Sequence, residues 1–275
     1  MKKATTPIGI AVAFGGLAIG ALMEGSSLPA FFNVPALLII LGGTFGVTMA
    51  GTSLDRIKAI PALFKLAFSA EREDVRGRIE SLVSLAERAR RDGLLALDGT
   101  LSEIEDGYTR KGLQLVVDGT DPELVAEIME TEIDAMSARH AAAAQPFEKA
   151  GGFAPTMGII GTVMGLVHVL ENLSAPETLG PAISGAFIAT LYGVGSANVV
   201  FLPVANRLKA LSQEEVELRT LTLEGILGIQ AGENPRILAE KLESYVPPAE
   251  RGAEEPARAV KPAQPAGEMA AAGAA

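Results

Sequence analysis

Phe153-Ala-Pro-Thr-Met-Gly-Ile-Ile-Gly-Thr-Val-Met-Gly-Leu-Val-His-Val-Leu170 is an apolar run relieved only by small and neutral polar residues, and a second such run extends from Pro181 to Val204. As a helix, each is long enough to cross a hydrocarbon core of about 30 Å, so the polar stretch 171–180 between them reads as the turn of a membrane hairpin. His168 is the only ionisable side chain from Phe153 to Leu170, and no Asp, Glu, Lys, Arg or His occurs from Pro181 to Ala205. Thr156, Thr162, Ser184, Thr190, Tyr192, Ser196 and Asn198 add neutral polar groups. An ion path through lipid is usually built around an acid or base, because an unpaired charge there is expensive. These two runs offer no carboxylate, so if the hairpin conducts, another subunit must bring the titrating group.

The rest of the 275 residues is segregated in the same way: 48% are hydrophobic and 20% charged, and the apolar ones gather in four blocks, which excludes one uniform globule. Lys2 and Lys3 precede the first block, Pro7 to Met23, where Gly16 and Gly20 put two small residues on one face for close helix packing. The second block runs from Val34 to Ala50, with Gly42 and Gly46 again four residues apart. Arg56, Lys58 and Lys65 follow the second block and Arg207 and Lys209 the fourth, whereas segments 24–33 and 171–180 carry no Lys or Arg. The positive-inside rule then places both termini and the long middle segment in the cytoplasm and both short loops outside. The expected fold is an all-α integral membrane protein with four transmembrane helices and a cytoplasmic helical domain between the second and third. Residues 1–53 hold the first two spans in this reading, 54–150 the cytoplasmic domain, 151–206 spans three and four, and 207–246 further cytoplasmic helices. Residues 247–275, rich in Ala, Pro, Gly and Glu, read as a disordered tail.

The absence of cysteine excludes disulfides and thiol chemistry, and two isolated histidines, His140 and His168, do not suggest a metal site. A net charge of -10 argues against a nucleic-acid partner, which needs a concentrated basic face. The apolar blocks contain no paired carboxylates and no His-x-x-x-His, so an enzyme is not expected, nor any cofactor beyond a transported ion.

In the middle segment Val75, Ile79, Leu82, Val83 and Ala86 recur at helical spacing, Arg90 and Arg91 lie among the charged faces, and Gly93 is a C-terminal cap. Glycines and aspartates between Asp98 and Gly119 predict short helices or turns. A further helix begins with Asp121 as cap and Pro122 in its first turn, turns Leu124, Ile128 and Met129 inward, and continues towards the third block. After Arg207 a charged helical pattern reaches about Tyr245, interrupted at Gly232-Glu-Asn-Pro235.

Four spans, a large segment after the second, Pro-x-x-Gly-x-x-Gly-Thr-x-x-Gly-Leu at 155–166, Ala-Thr-Leu-Tyr-Gly at 189–193 with Pro203 downstream, and Glu-Asn-Pro-Arg at 233–236 together resemble the MotA family of flagellar stator subunits, within the MotA/TolQ/ExbB proton channel family. The resemblance covers roughly Thr5 to Tyr245. It implies a homo-pentameric ring in the bacterial inner membrane around two helices of a MotB-like subunit, whose aspartate relays ions, and a cytoplasmic face that drives the rotor protein FliG. The related ExbB and TolQ proteins are the alternative, three-span chains with the large segment after the first span; an autonomous transporter or membrane enzyme is a distant third.

The resemblance also implies roles for single residues. Pro155 and Pro203 correspond to prolines that couple ion passage to movement, although membrane helices also tolerate prolines without such a role. Thr162 and Thr190 fall at the ion-pathway positions, where a hydroxyl relays a proton or replaces part of a sodium ion's water shell; threonine also bonds its own helix backbone. Both H+ and Na+ stay open as coupling ion, with H+ preferred as the commoner class. Arg90 and Asp98 match a rotor-facing arginine and acid, against the plain alternative of a solvated helix face. Gly161, Gly165, Gly185, Ala189 and Gly193 are the small residues expected to let helices of the ring pack closely.

Overall fold

The computed structural model describes residues 5–69 and 74–247, which are mostly helical with no strand among them. Lys2, Lys3 and the tail expected from 248 on lie outside the described residues. Helix α1 is Thr5–Met23, and a 3-10 turn at Leu28–Phe31 leads into α2, Val34–Ala50. Then come α3 (Leu54–Ser69), α4 (Val75–Asp92), the single turn α5 (Asp98–Leu101) and α6 (Gly107–Val117). Two long helices follow, α7 (Pro122–Glu171) and α8 (Pro176–Gln230), and then α9 (Pro235–Glu243).

Three helices, α1, α7 and α8, are long and apolar enough to cross a membrane. The second apolar block is a shorter helix, Val34–Ala50, and rises only about 25 Å. It contains a π-turn at Leu38–Gly42.

The expected domain limits at 150 and 206 fall inside helices. α7 is unbroken for 50 residues, about 75 Å, as its expected continuation towards the third block requires, and Ala141 to Ala144 are strong helix formers midway along it. The hairpin turn is also shorter than the polar composition of 171–180 suggests. Pro176 stands in the first turn of α8, where its fixed φ favours the helix, and Glu177 complements the helix dipole, so only 172–175 remain non-helical.

Side-chain caps set the other boundaries. Asp74 accepts from the Gly77 N–H at 3.1 Å to open α4, Asp121 from Glu123 N–H at 2.9 Å to open α7, and Asn234 from Arg236 N–H at 3.0 Å to open α9. Gly93 ends α4 at φ 87°, a conformation that disfavours any side chain.

Around these helices two cores form. α4, α6, α9 and the polar halves of α7 and α8 enclose Leu82, Leu113, Met129, Leu221, Ile226 and Leu238. On α7 the inward stripe is Val125, Met129, Ile133 and Met136, at strict four- and three-residue steps. Leu124, expected inward, is exposed, since the stripe through Met129 falls on Val125 instead. A second core joins α3 to the long helices where their apolar halves begin, through Ala67, Ala144, Phe147, Val204 and Leu208. A polar belt surrounds this junction: Lys149 donates to Gly51 O, Lys209 pairs with Glu148, and Arg56 donates to Gln145 at 3.1 Å. Helix α1 rests against α8 and α3 near its start but has no buried residue, and the Gly16 and Gly20 face expected to pack meets nothing within 4 Å.

Candidate functional site

Small residues bring α7 and α8 into backbone contact. A Cβ added at Gly193 would lie 2.5 Å from Ala154 O, one at Gly161 2.9 Å from Ala189 Cβ, and one at Gly165 2.7 Å from Ala186 Cβ. Gly161, Gly165, Ala189 and Gly193 thus share one seam inside a single chain, completed by Gly158 and Ala186. Gly185 stands outside it: its added Cβ would meet Asn33 Nδ2 at 2.8 Å, at the start of α2.

The close approach lets one hydroxyl serve two helices. Thr162 Oγ1 lies 3.0 Å from Gly158 O on its own helix and 2.9 Å from Ala186 O across the seam, and it is hydrogen-bonded to Thr190 Oγ1. A hydroxyl carries one proton and two lone pairs, so Thr162 donates to one of these oxygens at a time and accepts from Thr190. The half-buried cluster of four oxygens from two helices can pass a proton by exchanging donors, or offer lone pairs to a partly dehydrated cation. The backbone-bonding role and the ion-path role use the same geometry.

The two prolines are accommodated differently. Pro155 sits inside α7 without interrupting it, as does Pro146. Pro203 comes directly after a π-turn at Ser196–Phe201. A proline ring crowds the carbonyl four residues back and removes one donor, and the wider π-turn takes up that mismatch before Pro203.

Two further residues tie α2 to this hairpin. Tyr192 donates its hydroxyl to Phe31 O and accepts the Asn33 N–H at 3.2 Å, while the Asn33 side chain accepts the Ala36 N–H at 2.9 Å. Asn33-Val-Pro35 is itself a legible start signal, an N-cap followed by proline. Nothing in the sequence pattern pairs it with Tyr192, 159 residues away.

At the other end of the molecule, Arg90 closes α4 and Asp98 opens α5, on either side of the Gly93 turn. Both are exposed, and neither pairs with another side chain among the described residues.

The model of the MotA/TolQ/ExbB proton channel family matches residues 100–220. Motility protein A of Bacillus subtilis (strain 168) is 39% identical over 251 residues, 90% of this chain and 92% of the relative. The chain belongs to the MotA/TolQ/ExbB proton channel family. Two solved structures agree. The flagellar MotAB stator complex from Bacillus subtilis matches with a TM-score of 0.85 at 38% identity, over 90% of this chain and 97% of that one. C. jejuni MotAB matches with a TM-score of 0.86 at 31% identity, over 91% and 98%. The stretch matched by the family model includes Pro155, Thr162, Thr190 and Pro203; Arg90 and Asp98 precede it.

In this family member the polar bundle is braced by charge. Burial pushes the Asp106 carboxyl up, but the Thr109 hydroxyl and N–H, together with Arg78 at 2.6 Å, outweigh it and hold the group below the usual carboxylate range. Asp106 thereby caps α6 and ties it to α4. Lys111 and Arg219 converge on Glu132 at 2.6 and 3.5 Å, and the Arg219 guanidinium lies 4.9 Å from the centre of the Tyr108 ring. Burial raises the Tyr108 phenol, which stays protonated and donates to Met129 O at 3.3 Å.

Proposed function

We propose that the chain is a stator subunit of the bacterial flagellar motor: an ion-channel component, not an enzyme. The observation that carries this reading is the Thr162–Thr190 hydroxyl pair, set between two apolar runs without a carboxylate, in a member of this family. Hydroxyls can hand on an ion, but they cannot hold a titrating charge at neutral pH. A MotB-like subunit therefore supplies a membrane carboxylate, and several copies of this chain, five in our reading, surround it.

In this arrangement α1, α2 and the apolar parts of α7 and α8 are the four spans in the inner membrane, with the termini and the polar bundle in the cytoplasm. Thr162 and Thr190 face the ion, H+ being preferred to Na+, and no other cofactor is required. Pro155 and Pro203 give the long helices local compliance, and Arg90 and Asp98 meet a FliG-like rotor. The exposed, unpaired state of those two charges supports the last assignment, because a sliding contact needs charges free to engage and release.

The test is reconstitution. The chain in liposomes without its partner should pass neither H+ nor Na+, the chain with its MotB-like partner should pass one of them, and the pair should restore swimming to a strain lacking both stator subunits. Vigorous selective permeation by the chain alone would refute the reading. Swimming speed measured against external sodium at fixed proton-motive force identifies the ion: a flat response excludes Na+.

A further inference from the structure

Where α1 meets α8, small residues leave space instead of bringing backbones together. Gly9 borders α8, yet a Cβ added to it would meet nothing within 4 Å, and Ala13, one turn on, offers only a methyl. The two helices touch in the π-turn at Ser196–Phe201 and just beyond it, and between them lies a groove of about 430 Å³. Gly9, Ile10 and Ala13 form one wall, and Val199, Pro203 and Arg207 the other, at four-residue steps on one face of α8. These steps span about 12 Å, from the apolar part of the helix down to the polar belt. The volume over that length gives a width of roughly 6–7 Å, less than the about 10–12 Å of a helix with its side chains.

Arg207 is the one charged side chain among the described residues of the walls. Its side chain is 22% exposed, as deep as those of Arg78 and Arg219 at 19% and 23%. Those two hydrogen-bond carboxylates, at 2.6 and 2.8 Å. Arg207 makes no such bond among the described residues: its ion pair with Glu214 is a long one, Nη1 to carboxylate oxygen at 3.6 Å. A guanidinium with five N–H donors in a fixed fork thus stands at the polar end of an apolar groove. Asn198, the polar group higher in the wall, turns its amide back onto Val194 O at 2.9 Å.

We propose that this groove seats one acyl chain of an anionic phospholipid, drawn from the leaflet beside the polar bundle, with the headgroup phosphate on Arg207. The occupant must be slender and apolar for most of its length and anionic at one end, and basic pockets between membrane helices take such headgroups. An acyl chain is as well solvated in the bilayer as in the groove, so the chain contributes packing and the charge contributes selectivity. A zwitterionic lipid carries the same phosphate, but its own ammonium competes with Arg207. The lipid supplies α1 with contacts it otherwise lacks, since no residue of that helix is buried. The site is apart from the Thr162–Thr190 pair and requires only that α1 and α8 lie in a bilayer, so it stands or falls independently of the stator reading.

The test uses the full chain purified with its partner subunit, stripped of lipid in detergent and titrated with phosphatidylglycerol or with phosphatidylcholine of the same acyl chains. Bound lipid is counted by native mass spectrometry, and melting temperature is followed in parallel. Phosphatidylglycerol should bind roughly five- to tenfold more tightly, the worth of one basic side chain at the membrane surface, and should raise the melting temperature. Inorganic phosphate should not raise it; a rise equal to that from phosphatidylglycerol would mean an anion site without a chain and would overturn the proposal. Arg207→Gln should bring phosphatidylglycerol down to the phosphatidylcholine level, and Arg207→Lys should keep part of the preference, having the charge without the fork. Gly9→Leu fills the groove while leaving Arg207 in place and should remove the stabilisation by phosphatidylglycerol, whereas Ala11→Leu, on the exposed far face of α1, should not. Equal affinity for the two lipids in the unaltered protein, or a preference that survives Arg207→Gln, would overturn the proposal. So would a Gly9→Leu protein that binds lipid as before but contains fewer chains per complex, the outcome expected if a second copy fills the groove.

Discussion

Replacing Gly193 by alanine adds a single methyl where α7 and α8 touch. That methyl would sit 2.5 Å from Ala154 O and 2.9 Å from Gly158 Cα, against 3.4 Å for the near edge of ordinary contact, so the backbones must part by roughly 0.9 Å. Both neighbours are main-chain atoms of a continuous helix and cannot swing aside. The same parting carries the Thr162 Oγ1 to Ala186 O distance from 2.9 Å to beyond hydrogen-bonding range. Overpacking of this kind costs about 1–3 kcal/mol, a factor of about 5 to 150 in the population of the closed seam. The control is Gly195→Ala, two residues on in the same helix, where an added Cβ meets nothing within 4 Å and alanine gains up to about 1 kcal/mol of helix propensity. Torque of tethered cells and melting of the purified complex are measured together. Gly193→Ala should lower both, and Gly195→Ala should leave the melting point unchanged or raised. Full torque and an unshifted melting point in Gly193→Ala would show that the hydroxyl pair does not depend on this contact.

The same geometry sets three further outcomes. Thr162→Val removes the hydroxyl that meets a main-chain oxygen on each helix; torque should fall about tenfold or more, the worth of one strong hydrogen bond at the ion, while Thr162→Ser retains most of it. Arg90→Glu and Asp98→Lys alter exposed, unpaired charges, so stability should move by less than about 0.5 kcal/mol while motility is lost; unchanged torque with both reversed removes them from the rotor contact. The Asp106 carboxyl is held below its ordinary value of 3.8, so its contribution to the bundle is fully present above that pH and is lost as pH falls through the lowered value. Asp106→Asn should therefore flatten the acid limb of the stability curve, monitored by circular dichroism, and cost about 1 kcal/mol at neutral pH through the lost charge facing Arg78, since asparagine caps a helix as well as aspartate.

Much of this architecture is legible in the residues because it rests on local signals. The helix starts at Asp121-Pro122 and Asn234-Pro235 and the stop at Gly93 are side-chain and φ effects within a few residues. The hairpin is equally local, since its apolar runs are continuous. The charge pattern changes near residues 150 and 206 while the helices run on through both places, so a shift in composition there does not mark a break in secondary structure. The Thr162–Thr190 contact is accessible to sequence reasoning only as two separate positions. Their meeting depends on glycines whose partners lie 21 or more residues away, as does the choice of Asn33 rather than a seam residue as the neighbour of Gly185.

The continuity of these helices bears on how the molecule transmits movement. If the apolar and polar parts were joined by loops, a displacement at Thr162 would be absorbed before reaching the bundle. Instead α7 carries both Thr162 and Met129, and α8 carries both Thr190 and Ile226, so each membrane hydroxyl shares one rigid rod with a fully buried residue of the polar core. Helices of this length bend where a carbonyl loses its donor or the turn widens. On α7 those places are Pro146 and Pro155, and on α8 the π-turn before Pro203. They lie within or next to the junction core of Ala144, Phe147, Val204 and Ala205, which holds the two rods together between hydroxyls and bundle. If the Thr162–Thr190 pair is the ion site we propose, a change there has this zone to act through before it reaches the bundle bearing Arg90 and Asp98.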